Sequence, residues 1–161
     1  MIVDAVIEIP MGCKNKYEID KKNPGRIRLD RVLYSSSSYP AEYGFVENTL
    51  ADDGDALDIL ILSSFPTFPG CIVRARVLGH LDILDNGLKD EKVIAVPVDD
   101  PRFNHIQVFE DLPEHTKLEI VDFFKTYKAL QNIKVEIGEY KFLAETKALI
   151  KKYKEAYKKK K

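Results

Sequence analysis

The sequence predicts a mainly β fold of the α+β class: a small antiparallel barrel followed by two helices. Three observations predict it. Short stretches with strand patterning succeed one another from Ile2 to Val96, with turn residues between them and no βαβ rhythm. Helical spacing of apolar residues appears beyond Asp111, in two stretches. The chain has 161 residues, no internal repeat and no Gly/Ser linker, which fits one domain over residues 1–161.

Taken in order, Met1 to Pro10 carries Asp4 and Glu8 among its apolar residues and lacks a basic leader, so it reads as a strand and not a signal peptide. Lys14 to Asp20 alternates, which puts Lys16 and Glu18 on one strand face. Lys21 to Gly25 reads as a turn. In Arg26 to Leu33 the odd positions are Ile27, Leu29, Arg31 and Leu33, so Arg31 falls in the apolar row. A guanidinium pointing inward needs a carboxylate or an anionic ligand. A bulge returning Arg31 to solvent is the alternative.

Leu57 to Leu62 is a near-continuous apolar run suited to a buried strand, ended by Pro66, Pro69 and Gly70. Ile72 to Leu78 gives another strand, and Asp85-Asn86-Gly87 is a hairpin turn into Lys92 to Val96. Asp111 with Glu114 three residues on, and Pro113 in the first turn, predicts a capping box for the first helix. That helix aligns Ile120, Phe123, Phe124, Tyr127 and Leu130. A strand over Ile133 to Ile137 follows, and the last helix shows a stripe of Thr146, Leu149, Ile150, Tyr153 and Tyr157.

Composition narrows the classes. Hydrophobic residues make up 45% of the chain, enough for one core. No run approaches the ~18 apolar residues of a membrane span. Cys13 and Cys71 form neither a disulfide framework nor a CxxC pair, so reduced thiols in a cytoplasmic protein are expected. The formal net charge of −1 hides an asymmetry: the last eleven residues hold seven Lys and one Glu, leaving 18 basic and 25 acidic residues up to Ile150. An acidic body argues against a nucleic-acid surface and permits the carboxylate-rich site that a hard metal ion requires. The Lys-rich tail reads as the solvated end of the last helix, with contact to another subunit's acidic surface as the alternative. His80, His105 and His115 lie apart with no metal spacing and read as structural or surface residues.

The densest chemical signal is Asp52-Asp53-Gly54-Asp55-Ala56-Leu57-Asp58. Carboxylates this close repel unless cations or protons compensate them. Strict strand alternation would put Asp55 and Asp58 on opposite faces, so their convergence requires a turn at Gly54. An exposed acidic turn is the bland reading; Asp58 inside an apolar run speaks against it. Asp85, Asp90 and Lys92 form a second cluster around the hairpin, and Tyr39 and Tyr43 can present hydroxyls to an anion. Lys16, Arg31, Lys92, Tyr127 and Lys128 add cations and a phenol from four segments. Five aspartates with these groups match metal-bound polyphosphate chemistry. No Walker A, GxGxxG, GxSxG or HExxH occurs.

Through these motifs the chain resembles the family I soluble inorganic pyrophosphatases of the bacterial short-chain type, over almost its whole length. The matching segments are Ile7 to Pro10, Lys16 to Asp20, Asp30-Arg31, Tyr39-Pro40, Tyr43 to Phe45, Asp53 to Asp55 with Asp58, and Asp85 to Lys92. They continue with Ala95 to Pro97, Asp111 to Glu114 and Phe123 to Lys128. The resemblance implies a five-stranded OB-like barrel and Mg²⁺-dependent hydrolysis of pyrophosphate. It implies Asp53, Asp58, Asp85 and Asp90 as metal ligands, Asp55 as the group that deprotonates the attacking water, and Glu8 and Glu18 at the site edge. Lys16 and Tyr43 would hold the attacked phosphoryl group, Arg31, Tyr127 and Lys128 the leaving phosphate, with Lys92 neutralising charge. The short chain resembles the hexameric members. Ala56, Glu42 and Asn86 depart from the family's usual Pro, Asn and acidic residue. The rival expectations are another metal-dependent phosphohydrolase and a non-catalytic OB barrel.

Overall fold

The computed structural model describes residues 1–160. Among them are nine strands and two α-helices: β1 (Ile2–Ile9), β2 (Asn15–Ile19), β3 (Ile27–Val32), β4 (Glu42–Val46), β5 (Asp58–Ile61), β6 (Ile72–Asp85), β7 (Leu88–Lys89), β8 (Lys92–Pro97), α1 (Glu114–Thr126), β9 (Val135–Lys141) and α2 (Leu143–Lys160). Strands β1, β4, β5, β8 and β6 hydrogen-bond in that order, and β6 pairs again with β1, so the five close into a barrel. Four pairings are antiparallel; β5 and β8 run parallel. The parallel pair arises because the chain leaves β5, crosses the barrel on β6 and turns back at Asn86–Gly87 before reaching β8. Both turn residues have positive φ, 50° and 81°, as a two-residue hairpin turn requires, and asparagine tolerates that conformation better than most residues.

The apolar runs seen in β5 and β8 follow from burial on both faces. Ile59, Ile61, Val93 and Ala95 face a cluster closed by Ile150 and Tyr153 of α2. Leu60, Ile94 and Val96 face the other way, into a cluster closed by Ile120, Phe123 and Phe124 of α1. Alternate residues thus serve alternate cores. Complete burial of a side chain such as Leu60 or Ile94 contributes about 1.5–3 kcal/mol. β9 lies against β6, while β2 and β3 form a separate two-stranded ribbon.

Several local expectations change. The capping box at Asp111 does not form: its carboxylate accepts the Gln107 and Val108 N–H groups at 2.8 and 3.0 Å instead, and α1 opens after Pro113 without a side-chain cap. Leu130 lies beyond α1 in a short 3-10 turn and is exposed. The strand expected over residues 133–137 runs from Val135 to Lys141. His80 is buried with its Nδ1 2.7 Å from Thr146 Oγ1, a structural link between β6 and α2, and both cysteines are free. Among the described residues no helix is long and apolar enough to cross a membrane.

Candidate active site

Strand ends and one turn converge on a cleft of about 420 Å³. β1 contributes Glu8, β2 contributes Lys16 and Glu18, β3 Arg31 and β4 Tyr43. The turn before β5 brings Asp53 and Asp55, and Asp58 opens β5. The β6–β8 region supplies Asp85, Asp90 and Lys92, and the end of α1 supplies Tyr127 and Lys128. All thirteen site residues expected from sequence line this one cleft. Convergence of Asp53, Asp55 and Asp58 depends on Gly54, whose φ is +92° and whose turn is closed by the Gly54 N–H on the Ala51 carbonyl at 3.0 Å.

Lys92 is the electrostatic centre. Its side chain is 2% exposed, and its ammonium donates to Asp58 Oδ2 at 2.5 Å, Asp90 Oδ1 at 2.6 Å and Tyr43 Oη at 3.0 Å. Tyr43 in turn donates to Asp58 Oδ2 at 2.5 Å. Burial by itself would discharge Lys92, but the Asp58 and Asp90 carboxylates outweigh it and hold the ammonium well above the ordinary lysine value. Burial, with Asp58 and Asp85 nearby, lifts the Asp90 carboxyl above its usual range despite Lys92. Burial likewise lifts Glu8 to about 7, against the hydrogen bond from the Ile19 N–H. The phenols of Tyr43 and Tyr127 are held neutral chiefly by burial.

Around this centre several of the remaining charges pair off. Lys16 donates to Glu18 at 2.6 Å and to Asp30 at 3.2 Å, Asp30 also accepts from Arg31 at 2.7 Å, and Lys128 bonds Asp85. The expected inward row of β3 is overturned, since Ile27 and Leu29 are exposed. A bulge does occur: Lys16 pairs with Arg31 but Tyr17 with Leu29, leaving Asp30 as the extra residue. It directs Arg31 into the cleft, where its Nε is buried without a partner. Sequence reasoning missed Asp30 as the anchor of both cations. It also missed Lys21 and Asp20, which reach the cleft from the β2–β3 turn, where Lys21 bonds Asp55. A charged turn carries no local signal of where the ribbon will fold.

The lining holds eight carboxylates (Glu8, Glu18, Asp20, Asp53, Asp55, Asp58, Asp85, Asp90) against five cations (Lys16, Lys21, Arg31, Lys92, Lys128), a formal excess of three negative charges. A family model described as inorganic pyrophosphatase matches residues 5–158. The chain belongs to the inorganic pyrophosphatase family. It is 55% identical over 139 residues to an inorganic pyrophosphatase of Halalkalibacterium halodurans, covering 86% of this chain and 85% of that protein. Among solved structures, the inorganic pyrophosphatase of Thermus thermophilus superposes with a TM-score of 0.93 at 43% identity, covering 98% of this chain and 91% of that one. That of Helicobacter pylori gives 0.93 at 40%, covering 98% and 94%. Family and neighbours bear out the expected OB-like barrel and place the chain with the inorganic diphosphatases.

Proposed function

We propose that the chain hydrolyses inorganic pyrophosphate to two orthophosphates with Mg²⁺, by direct attack of water and with Asp55 as general base. The observation that carries this is the cleft: dense carboxylates interleaved with Lys16, Arg31, Lys92 and Lys128, with an excess of negative charge. A polyanion entering such a cleft is repelled unless cations come with it.

The residues fit Mg²⁺ by donor chemistry. No Cys or His lines the cleft, so its anionic donors are all hard oxygens. Mg²⁺ binds through one or two carboxylates together with substrate phosphate and water, and the cleft offers carboxylates from separate segments for that. Asp53, Asp58 and Asp90 would hold the ions, Asp85 would share a further one with Asp90, and Glu8 and Glu18 would act at the edge through water. When bound, Mg²⁺ supplies Lewis acidity and a more acidic water.

The chain's own groups do the rest. Asp55 takes the proton of the attacking water. Its exposed partner Lys21 can swing away at a cost of at most about 1 kcal/mol. Lys16 and Tyr43 orient the attacked phosphoryl group. Arg31, whose Nε lacks a protein partner, joins Tyr127 and Lys128 on the leaving phosphate, and Lys92 keeps Asp58 and Asp90 together. The protein would act as a homohexamer in the cytoplasm, as its free cysteines and the exposed Phe65, Phe68 and Ile72 support.

Phosphate release from pyrophosphate tests this directly. Wild type with Mg²⁺ is expected to turn over, EDTA to silence it, and Asp55→Asn to lose about 10²–10⁴-fold. A wild type silent in both Mg²⁺ and Mn²⁺ ends the enzyme reading; an active Asp55→Asn ends the base assignment alone.

A further inference from the structure

The turn carrying Asp53 and Asp55 is weakly held. Asp52 to Asp55 are all exposed, and the hydrogen bonds of the Ala51, Gly54 and Asp55 N–H groups stay within the turn. Apart from the exposed Lys21–Asp55 pair, its side-chain ties to the rest of the fold run through α2. The Leu50 N–H donates to the Tyr153 carbonyl at 3.0 Å, and Lys152 Nζ lies 2.8 and 3.1 Å from the two Asp52 oxygens. The Tyr153 ring is buried in the core that α2 closes, 1% exposed. Its phenol lies 3.3 Å from Asp52 Oδ2 and 3.2 Å from Glu91 Oε2.

Those two carboxylates are not themselves in the cleft, but each is the chain neighbour of groups that are. Asp52 adjoins Asp53, and Glu91 sits between Asp90 and Lys92. A phenol has one proton to donate and two carboxylates to satisfy, so it bonds one while remaining within reach of the other. Lys152 pairs with Asp52, one of the two anions that approach the hydroxyl.

We propose that Tyr153 is a positioning residue for the metal-binding carboxylates: its buried phenol ties the Asp53–Asp55 turn to the Asp90–Lys92 segment and fixes the spacing across which ions are shared. The proposal rests on the Mg²⁺ site assigned above. It differs from a packing role, because Phe would fill the same core space and keep the Leu50 backbone bond.

Magnesium titration calorimetry on the EDTA-treated, dialysed full-length protein tests it, with hydrogen exchange at the Gly54 and Asp55 amides as a second readout. Tyr153→Phe is expected to bind Mg²⁺ about tenfold more weakly, and to exchange faster at both amides. Its kcat at saturating Mg²⁺ should stay within about twofold of wild type while the half-saturating Mg²⁺ rises. Glu91→Gln leaves the ring untouched; it should weaken binding alone and add nothing to Tyr153→Phe. Wild-type Mg²⁺ affinity and amide exchange in Tyr153→Phe, with only a lower Tm, overturn the proposal, as do losses from the two substitutions that multiply independently. A wild type without a Mg²⁺ isotherm overturns the metal site itself, and the exchange rates then report separately on whether the phenol holds the turn.

Discussion

Glu8 sits at the end of β1 with one oxygen accepting the Ile19 N–H at 2.9 Å, and burial raises its pKa from 4.5 to about 7. A carboxyl whose folded pKa is raised binds its proton more tightly when folded, so its contribution to stability falls as pH rises from about 4.5 to about 7. Glu8→Gln keeps the acceptor and removes the charge. In EDTA it should stabilise the protein at pH 8 by on the order of 1–3 kcal/mol and leave it nearly unchanged at pH 4; denaturant midpoints at the two pH values decide it. Lys92 presents the opposite case. Lys92→Met leaves the half-buried Asp58 and Asp90 without their ammonium and should cost about 2–4 kcal/mol in EDTA. Mg²⁺ should recover part of that loss, since the same carboxylates then attract the ion. An equal loss with and without Mg²⁺ would show that Asp58 and Asp90 do not hold it. Glu42, buried and accepting the Met11 and Thr67 N–H groups at 3.0 and 3.1 Å, clamps two loops together.

Among the elements, β4 carries the tightest constraint. A Cβ built on Gly44 would lie 1.9 Å from the Val6 carbonyl oxygen, backbone that cannot give way without opening the β1–β4 pairing. Gly44→Ala should therefore cost more than about 3 kcal/mol or prevent folding, read by thermal melting and near-UV circular dichroism. The hydrophobic runs of β5 and β8 and the stripe of α2 were legible because burial on one or two faces writes a period into the chain. The cap of α1 was not. Asp111 can satisfy either the helix start or the Gln107–Val108 backbone, and its neighbours, not its identity, decide which. A bulge in β3 was legible only as an alternative that would send Arg31 to solvent; that it sits at Asp30 and sends Arg31 into the cleft is set by how β3 meets β2.

For the whole molecule, an ion bound only by the folded state raises stability by mass action. At a Mg²⁺ concentration 100-fold above its Kd the gain is about 2.7 kcal/mol. For a chain of this length that corresponds to roughly 5–10 °C in Tm. A Tm unmoved by Mg²⁺ would deny that the ions bind the folded cleft. Sedimentation should show an oligomer of six copies. Replacing Phe65 and Phe68 by Ser, both well exposed and on one short loop, should lower that mass if the loop packs between copies.

By itself the sequence determined which residue types the chemistry needs. Local order supplied Asp53, Asp55 and Asp58 around a glycine, and Asp85, Asp90 and Lys92 around a hairpin, because turn chemistry and alternation act over a few residues. The chain as a whole also resembled one family, and the thirteen residues which that resemblance named line one cleft. Only the tertiary structure decided how these groups are partnered. Lys92 lies between Asp58 and Asp90, Asp30 anchors both Lys16 and Arg31, Lys21 reaches Asp55 from a separate ribbon, and Tyr153 spans Asp52 and Glu91. Those contacts join residues up to 101 positions apart, and no local propensity encodes a distance that barrel closure and helix docking set.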